Sequence, residues 1–309
     1  MNNKYLPLSD VQRSYFYGRS KGTFLGGIST HFYIECMTSL DKDKLEKALN
    51  SVIKEQPSLR SYITSDGMQC CMDEAPEYYR IKETDISRLS YEEQEKKLLE
   101  IRKRCSNRIF DLDSWPMFEF NICITGRDKN VMIIDSDMMI MDGLSTEILI
   151  ESLYKYYEKD EPVREISIEA FEDHIALKEQ KKAKNYDNDK AFWKEIIEEL
   201  PSGPHFERTG GNEERTFDTR EISVPADKWG AKSRELKSER ILPSVYLTAA
   251  YAKLLSRWCG QSRITLNMTM SNRKGNAKAL LNAIGDFTEV MLVDFDFSMK
   301  KSLKEAAKE

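Results

Sequence analysis

The chain has 309 residues, a hydrophobic content of 40% and a formal net charge of −5. This length suits one large domain or two lobes, and the hydrophobic content suffices for a core. The acidic balance argues against a nucleic-acid surface, and no apolar run reaches the roughly 18 residues of a membrane span. Six cysteines without a C-x-x-C pair and three dispersed histidines argue against a zinc site and favour a reduced, cytoplasmic protein.

The predicted elements mix strands and helices without strict alternation, which indicates a mixed α/β fold. Apolar β-formers predict strands at 31–36, 61–64, 118–125, 131–135, 219–224, 264–269 and 290–295. Helical periodicity predicts helices at 9–18, 41–55, 90–108, 145–158, 168–184, 188–200, 228–238 and 243–258. The polar residues 125–130 predict a hairpin turn, and the Gly- and Pro-containing residues 202–215 predict a loop or a disordered segment.

The most informative stretch is the loop between the strand predicted at 131–135 and the helix predicted at 145–158. It reads Asp-Met-Met-Ile-Met-Asp-Gly and holds Asp137 and Asp142 with four residues between them. Carboxylates at a buried strand exit are costly unless a cation, a hydrogen-bond donor or a ligand compensates their charge. The alternatives are therefore a structural pair with a neighbouring arginine and a role in contact with a substrate.

This loop resembles the active-site loop of the condensation-type domains of nonribosomal peptide synthetases. In ordinary condensation domains the loop reads His-His, three residues, Asp-Gly, whereas no histidine precedes Asp142 in the loop of this chain. The resemblance implies that the general base thought to serve peptide-bond formation is absent. The pattern of Asp137, four residues and Asp142 is similar to that of the heterocyclization subfamily, which makes thiazoline and oxazoline rings.

Further segments resemble the same family, in the same order along nearly the whole chain. They lie at 7–19, 26–35, 40–60, 192–201, 243–258, 266–273 and 285–288. Each is weak evidence alone, but together, in register, they identify the chain as a member of this family. The resemblance implies a chloramphenicol-acetyltransferase-like, two-lobed α/β condensation-domain fold with a tunnel between the lobes. The N-terminal lobe is predicted at 1–162 and the C-terminal lobe at 163–309.

The resemblance also assigns roles to the residues of the loop. It implies an arginine partner for Asp142, because a lone buried carboxylate costs several kcal/mol. Arg273, which follows Asn272 in a Ser-Asn-Arg segment, is the predicted partner. Asp137 is expected to face the tunnel, where it contacts either substrate or only the loop.

A second group of candidates lies in the Gly-Asp-Phe-Thr segment. Asp286 and Thr288 predict a turn ahead of a strand, and the alternative is that Asp286 lies near the tunnel. His31 is predicted to be a hydrogen-bonded strand histidine, and Arg19 to lie where a cation caps the end of the helix predicted at 9–18.

The function implied by the resemblance is condensation of a carrier-bound acyl group with carrier-bound cysteine, serine or threonine, followed by cyclodehydration to a thiazoline or oxazoline. The implied partners are donor and acceptor peptidyl carrier proteins and adjacent synthetase domains. The phosphopantetheine arms of the carriers hold the substrates, and no cofactor, metal or nucleotide is expected on this chain.

Full-length relatives have two further motifs after the segment that matches 285–288, and the family's cyclodehydration is attributed to a threonine and an aspartate in them. This chain contains neither motif. We therefore expect an incomplete C-terminal lobe and no ring closure by these 309 residues alone, whether they are a shortened gene product or a fragment. The alternative is a non-catalytic docking or scaffold domain, or half of a split domain that another polypeptide completes.

The apolar residues 290–297 are expected to lie near an incomplete sheet edge. Exposed edges and apolar patches recruit partners. We therefore expect self-association, pairing with a complementary chain, or a cover formed by 298–309 as an amphipathic helix.

Overall fold

The computed structural model describes residues 3–19, 28–159, 161–163, 165–207, 222–273, 280–299 and 302–308. The helices in this part of the chain are α1 (Asp10–Gly18), α2 (Lys42–Glu55), α3 (Tyr91–Ser106), α4 (Gly143–Tyr154), α5 (Ile168–Ile196), α6 (Ala226–Ser238), α7 (Pro243–Cys259) and α8 (Leu303–Ala306). The strands are β1 (Lys4–Pro7), β2 (His31–Thr38), β3 (Ser61–Ile63), β4 (Met68–Cys71), β5 (Lys82–Asp85), β6 (Phe118–Ile124), β7 (Asn130–Asp137), β8 (Arg263–Ser271) and β9 (Thr288–Asp296). A 3-10 turn at Pro57–Arg60 follows α2, and a π-helical turn at Lys155–Lys159 extends α4.

Strand β7 lies inside a four-stranded sheet of order β2-β7-β6-β5, and a separate three-stranded sheet has the order β1-β4-β3. β7 pairs antiparallel with β2, from His31 opposite Asp137 to Thr38 opposite Asn130, and antiparallel with β6. The hairpin predicted between β6 and β7 is confirmed. Gly126 in its turn has a φ of 68°, a left-handed conformation that glycine adopts without a Cβ clash. The C-terminal end of a central strand therefore carries Asp137 into the interior.

Helices α2 and α4 pack on the four-stranded sheet and form the main hydrophobic core with it. In α2 the apolar residues recur at i, i+4, i+7 and i+8, which places them on one face. All four are buried: Leu45, Leu49, Val52 and Ile53. They share a cluster with Phe120 of β6 and Ile134 of β7. Because burial of each such side chain stabilises by about 1.5–3 kcal/mol, this layer holds in place the sheet from which the Asp137 loop emerges.

The chain divides into two compact units. One comprises Met1–Lys181 and Ser271–Glu289, and the other comprises Lys182–Met270 and Val290–Glu309. The lobes predicted at 1–162 and 163–309 stay a prediction about domains. All the candidate site residues, including those near 272 and 286, belong to the first unit.

The described elements differ from the predicted ones in three respects. α5 is one continuous helix where two were predicted, at 168–184 and 188–200, because residues 185–187 contain no Gly or Pro to interrupt the backbone hydrogen bonds. The strand predicted at 219–224 is wrong for its last three residues, which have no regular structure, and its first three lie outside the described residues. β1, β4 and β5 were not predicted, since strands of four residues are too short for alternation to be recognised.

Strands β8 and β9 form a two-stranded sheet. In the predicted cover at 298–309, only α8 is helical among the described residues, and Lys304 of α8 forms ion pairs with Glu235 and Glu239 at the end of α6. The apolar residues 290–292 at the start of β9 remain exposed. No helix within the described ranges is long and apolar enough to cross a bilayer.

Candidate functional site

The loop between β7 and α4 begins the site, and Asp142 is the N-cap of α4. Its carboxylate accepts hydrogen bonds from the backbone nitrogen of Ser145 at 2.8 Å and from Ser145 Oγ at 2.7 Å. The first backbone N–H groups of a helix have no partner within the helix, and an aspartate at the N-cap supplies one. The Asp142 N-cap therefore fixes the start of α4 at this point.

The structure contains the ion pair predicted between Asp142 and Arg273. The guanidinium donates from Nη1 to Oδ2 and from Nη2 to Oδ1, each at 2.9 Å. Only 3% of Asp142 and 6% of Arg273 is exposed. Burial raises the pKa of the Asp142 carboxyl, but the hydrogen bonds from Arg273 and Ser145 outweigh that effect and lower it. Asp142 is thus a buried, ionised and fully bonded carboxylate, which fits a structural role.

Ser145 links this ion pair to the Gly-Asp-Phe-Thr segment. Its Oγ accepts hydrogen bonds from Arg273 Nη2 at 2.8 Å and from the backbone nitrogen of Gly285 at 3.0 Å. The backbone nitrogen of Asp142 donates to the Gly285 carbonyl at 3.1 Å. A side chain at 285 would clash, because a Cβ there would lie 2.9 Å from the Phe287 ring. These bonds therefore fix the loop at 142–145 against Gly285, which immediately precedes Asp286.

Asp137 is buried and bonded to several donors. None of its surface is exposed, and Arg19 Nη2 donates to both of its carboxylate oxygens at 2.5 Å. Ser29 Oγ and the backbone nitrogen of Met139 donate to the same carboxylate, each at 2.9 Å. These donors occupy its oxygens in the interior, and the expectation that Asp137 faces a tunnel stays a prediction. A catalytic role for Asp137 stays a prediction, and the geometry favours anchoring of the loop.

Arg19 and His31 both lie next to Asp137. Arg19 was predicted to act at the end of α1, and its guanidinium instead forms the ion pair with Asp137. His31 is a hydrogen-bonded strand residue, as predicted: its Nε2 lies 2.6 Å from the carbonyl oxygen of Cys105 and its Nδ1 lies 3.3 Å from that of Ser29.

A cavity of about 320 Å³ lies beside the Gly-Asp-Phe-Thr segment. Asn272, Asp286 and Thr288 line it together, so three of the predicted residues do converge on one site. Apolar side chains form much of the remaining wall: Leu6, Leu8, Phe171, Ile175 and Phe287. A cavity of this size that combines apolar walls with converging polar groups is suited to a small ligand.

Asp286 is the titratable group whose environment in this cavity is most unusual. Its carboxylate accepts a hydrogen bond from the backbone nitrogen of Thr288 at 3.2 Å and one from Ser9 Oγ at 3.4 Å. Burial raises the pKa of Asp286 to about 6; the bonds from Thr288 oppose this rise, and the negative charge of Asp142 adds to it. The bond from Thr288 is the turn that the sequence predicted ahead of β9, so Asp286 serves the turn and lines the cavity as well.

The polar residues of the cavity that were not predicted include Gln12, Gln69 and His174. Gln12 Nε2 donates to Gln69 Oε1 at 3.1 Å and to the Met139 carbonyl at 2.7 Å, which ties α1 to β4 and to the loop. The only sequence signal for Gln12 was the Ser-x-x-Gln capping box that starts α1. His174 lies edge-on to the Phe287 ring, and burial, with the nearby charge of Lys178, lowers the pKa of the imidazole.

The buried Asp-x4-Asp loop, the two sheets and the adjoining cavity together indicate a condensation-type α/β domain. The whole chain supports this, because the condensation domain family matches residues 2–309. The chain belongs to the condensation domain family, as the sequence predicted.

Curated relatives are much longer proteins. Bacitracin synthase 1 of Bacillus licheniformis is 27% identical over 304 residues, which cover 94% of this chain and 6% of that protein. Phenyloxazoline synthase MbtB of Mycobacterium tuberculosis is 26% identical over 297 residues, which cover 94% of this chain and 21% of that protein. Pyochelin synthetase PchF of Pseudomonas aeruginosa is 25% identical over 313 residues, covering 100% of this chain and 17% of that protein. The chain therefore spans a small part of the length of these relatives.

Solved structures agree with the family. The EpoB NRPS cyclization-docking bidomain from Sorangium cellulosum has a TM-score of 0.85 and 26% identity, and the match covers 98% of this chain and 61% of that one. The first condensation domain of the CDA synthetase has a TM-score of 0.77 at 16% identity, over 99% of this chain and 72% of that one, and it bears on the fold alone. The predicted mixed α/β condensation-domain fold is confirmed.

Proposed function

We propose that this chain is a condensation domain of the heterocyclization type. Its reaction class joins an acyl group on a donor carrier protein to cysteine, serine or threonine on an acceptor carrier protein. The side-chain thiol or hydroxyl then adds to the carbonyl carbon of the new amide and closes a five-membered ring. Loss of water from this ring forms the C=N bond of the thiazoline or oxazoline. The phosphopantetheine arms of the two carriers would deliver both substrates to the site.

The observation that carries this proposal is the loop in which two aspartates replace the histidine-bearing pattern of ordinary condensation domains. Asp137 and Asp142 are both buried, and each is paired with its own arginine, Arg19 and Arg273 respectively. The similarity to a structure described as a cyclization bidomain and to a phenyloxazoline synthase supports the same subtype. A loop built in this way contains no neutral imidazole to remove a proton.

The contribution of these residues is positioning. Two ion pairs and the bonds to Ser145 hold the loop against the Gly-Asp-Phe-Thr segment, and the cavity lined by Asp286 lies beside that junction. Placing two tethered reactants in one fixed geometry removes much of the entropic cost of a bimolecular step. The loop aspartates would shape the site, and the cavity residues would contact the acceptor.

The test is a reconstituted condensation assay with the 309-residue protein. A donor carrier bearing an acyl group is mixed with an acceptor carrier loaded with cysteine, serine, threonine or alanine, in separate reactions. The masses of the acceptor-bound products are measured by mass spectrometry. We expect condensed product from the three acceptors with a thiol or hydroxyl in preference to alanine. Equal reaction with alanine would contradict the heterocyclization subtype.

The same spectra test the second stage. We expect the condensed product to keep its full mass, because the two motifs credited with cyclodehydration do not occur among these 309 residues. A product lighter by one water would show that this chain closes the ring without them. Asp142→Ala serves as the matched negative variant, since loss of the ion pair with Arg273 should disorder the loop and abolish condensation.

A non-catalytic docking or scaffold role, or half of a split domain, is the second candidate. The exposed apolar side chains of α7 favour it, because a large apolar patch is typical of an interaction surface. They recur at i, i+4, i+7 and i+11: Leu247, Tyr251, Leu254 and Trp258. If the protein binds a loaded carrier but gives no condensed product, this candidate would be favoured over the enzymatic one.

A further inference from the structure

The cavity beside Asp286 has a shape that suits one small, partly apolar group. Its volume of about 320 Å³ lies at the lower end of the range for small-ligand sites. Phe171 stacks on Phe287 with ring centroids 5.6 Å apart, and Ile175 extends the apolar wall along α5. Asn272 and Asp286 supply polar groups on the same lining. The cavity therefore offers an apolar surface and a carboxylate within one space.

The positive charges on the cavity lining already have partners. Arg13 pairs with Asp10 within α1, and Lys178 pairs with Glu289 at 2.9 Å. His174 does not add a positive charge at neutral pH, because burial and Lys178 lower its pKa.

Asp286 differs from the other carboxylates of the lining, because Asp10 pairs with Arg13 and Glu179 is exposed to solvent. Within the ranges that the structure describes, its hydrogen-bond donors are neutral: the Ser9 hydroxyl, the backbone N–H of Thr288 and the Thr288 hydroxyl. No cation in those ranges forms an ion pair with it. A half-buried carboxylate with only neutral donors has an uncompensated charge, and a positively charged ligand would compensate it.

We propose that this cavity binds a primary ammonium group, with the Asp286 carboxylate as its counter-ion and the apolar wall around the carbon atoms next to it. The ligand class is the carrier-tethered amino acid, whose free α-ammonium group is the acceptor nitrogen of the condensation. The identity of the ligand rests on the proposed function, whereas the preference for a cation rests on the cavity alone.

The assignment rests on the geometry of the cavity, and the raised pKa of Asp286 is consistent with it. Burial and the charge of Asp142 both disfavour the ionised carboxyl group. A bound ammonium group would reverse that effect, as opposite charges do when water is excluded. In the free protein the ionised Asp286 carboxylate is therefore unfavourable. We expect this of a carboxylate whose counter-ion is part of the substrate.

The experiment measures charge preference with two unreactive probes. One is the amide analogue of seryl-pantetheine, in which nitrogen replaces the thioester sulfur, and the other is its neutral α-hydroxy analogue. We expect the wild-type 309-residue protein, by calorimetry at neutral pH, to bind the amino probe about tenfold or more tighter than the hydroxy probe. Asp286→Asn should abolish the preference, and the matched control Asp173→Asn, an exposed residue of α5, should retain it.

Equal affinity of the wild type for the two probes would overturn the proposal, as would undetectable binding of both. A preference that survives in Asp286→Asn would overturn it as well. The wild-type comparison needs no variant, so it decides the question even if Asp286→Asn fails to fold. A charge preference without condensation activity would refute the proposed function and support the cation site. Condensation activity without a charge preference would support the proposed function and refute the cation site.

Discussion

The Asp142–Arg273 ion pair gives the sharpest stability prediction, because replacing Asp142 by alanine leaves a buried guanidinium without its carboxylate. Arg273 is 6% exposed and both of its bonds to the carboxylate are 2.9 Å long, so little water reaches the pair. Breaking a buried pair by removing one partner costs about 3–5 kcal/mol. The variant also loses the N-cap acceptor of Ser145 N, a further contribution of about 1 kcal/mol that relaxation and water entry would offset in part.

We therefore expect Asp142→Ala to lower the free energy of unfolding by about 3–5 kcal/mol in urea denaturation. In a domain of this size that loss corresponds to a fall in melting temperature of about 6–20 °C. The matched control is Glu100→Ala, which removes an exposed carboxylate paired with Lys97 and should leave the unfolding midpoint unchanged.

A double-mutant cycle tests the cause of the loss. Asp142→Ala combined with Arg273→Ala should cost clearly less than the sum of the single substitutions, because the second change removes the charge that the first leaves unpaired. Additive losses would refute the ion pair as the cause. An Asp142→Ala protein with the wild-type midpoint would refute the burial of the pair itself.

The pH dependence gives an independent test of the same pair. The folded pKa of Asp142 is lowered from 3.8, so its contribution to stability is complete above that value and is lost as the pH falls through the folded pKa. The difference between wild type and Asp142→Ala should therefore shrink in acid and be constant near neutral pH. A difference that grows as the pH falls would contradict this sign.

Three further predictions concern other parts of the chain. Arg19→Ala should destabilise the protein by about 3 kcal/mol in urea denaturation, because it leaves Asp137 buried with only neutral donors, and Arg19→Lys should restore part of the loss. Asp286→Asn should stabilise the protein by about 2–3 kcal/mol at neutral pH, since the folded pKa of about 6 exceeds the unfolded 3.8 and the wild type loses stability as the pH rises between them. That advantage should vanish in denaturation curves near pH 3.8, and a pH-independent gain would contradict it. Tyr251 is 59% exposed and Trp258 is 71% exposed, so we expect the wild-type protein to self-associate through them. The double variant Tyr251→Ser, Trp258→Ser should have a smaller average mass in light scattering, closer to that of a monomer. A wild-type protein that is monomeric at every concentration would contradict this.

Local signals in the sequence were sufficient for most of the helices. Ser9 and Ser90 both start a helix with a capping box, and their side chains bond to the residue three positions later. The apolar periodicity of 41–55 predicted the buried face of α2 correctly, because a pattern of i, i+4, i+7 places side chains on one side of any helix. These signals act within a few residues, so one sequence displays them completely.

Pairing between distant segments was harder to predict, and the sheet that contains β1 shows why. Lys4 in β1 pairs with Cys71 in β4, and Tyr5 pairs with Cys70. A strand of four residues has too few positions for alternation to be recognised, and its partner is set by the folded chain. The same limit applies to Arg19, which follows α1 in sequence and binds a carboxylate 118 residues away.

The two ion pairs of the loop differ in how far they could be predicted. For Asp142 the family resemblance implied an arginine partner, and the Ser-Asn-Arg segment supplied Arg273; the physical reason is the rule that a buried carboxylate requires a cation. The same rule required a cation for Asp137, but the chain has 47 lysines and arginines, and nothing local distinguished Arg19 among them. Charge balance predicts that a partner exists, and only the fold identifies it.

Asp286 shows that a turn residue and a ligand-binding residue need not be alternatives. The backbone nitrogen of Thr288 binds Oδ1 and fixes the orientation of the carboxylate, which is the turn role. Oδ2 has the long bond of 3.4 Å from Ser9. The Thr288 hydroxyl bonds to the same carboxylate. A carboxylate whose orientation is fixed in this way is preorganised for a ligand, because little side-chain entropy remains to be lost on binding. The turn that the sequence predicted is thus the device that would make Asp286 a suitable counter-ion for an ammonium group.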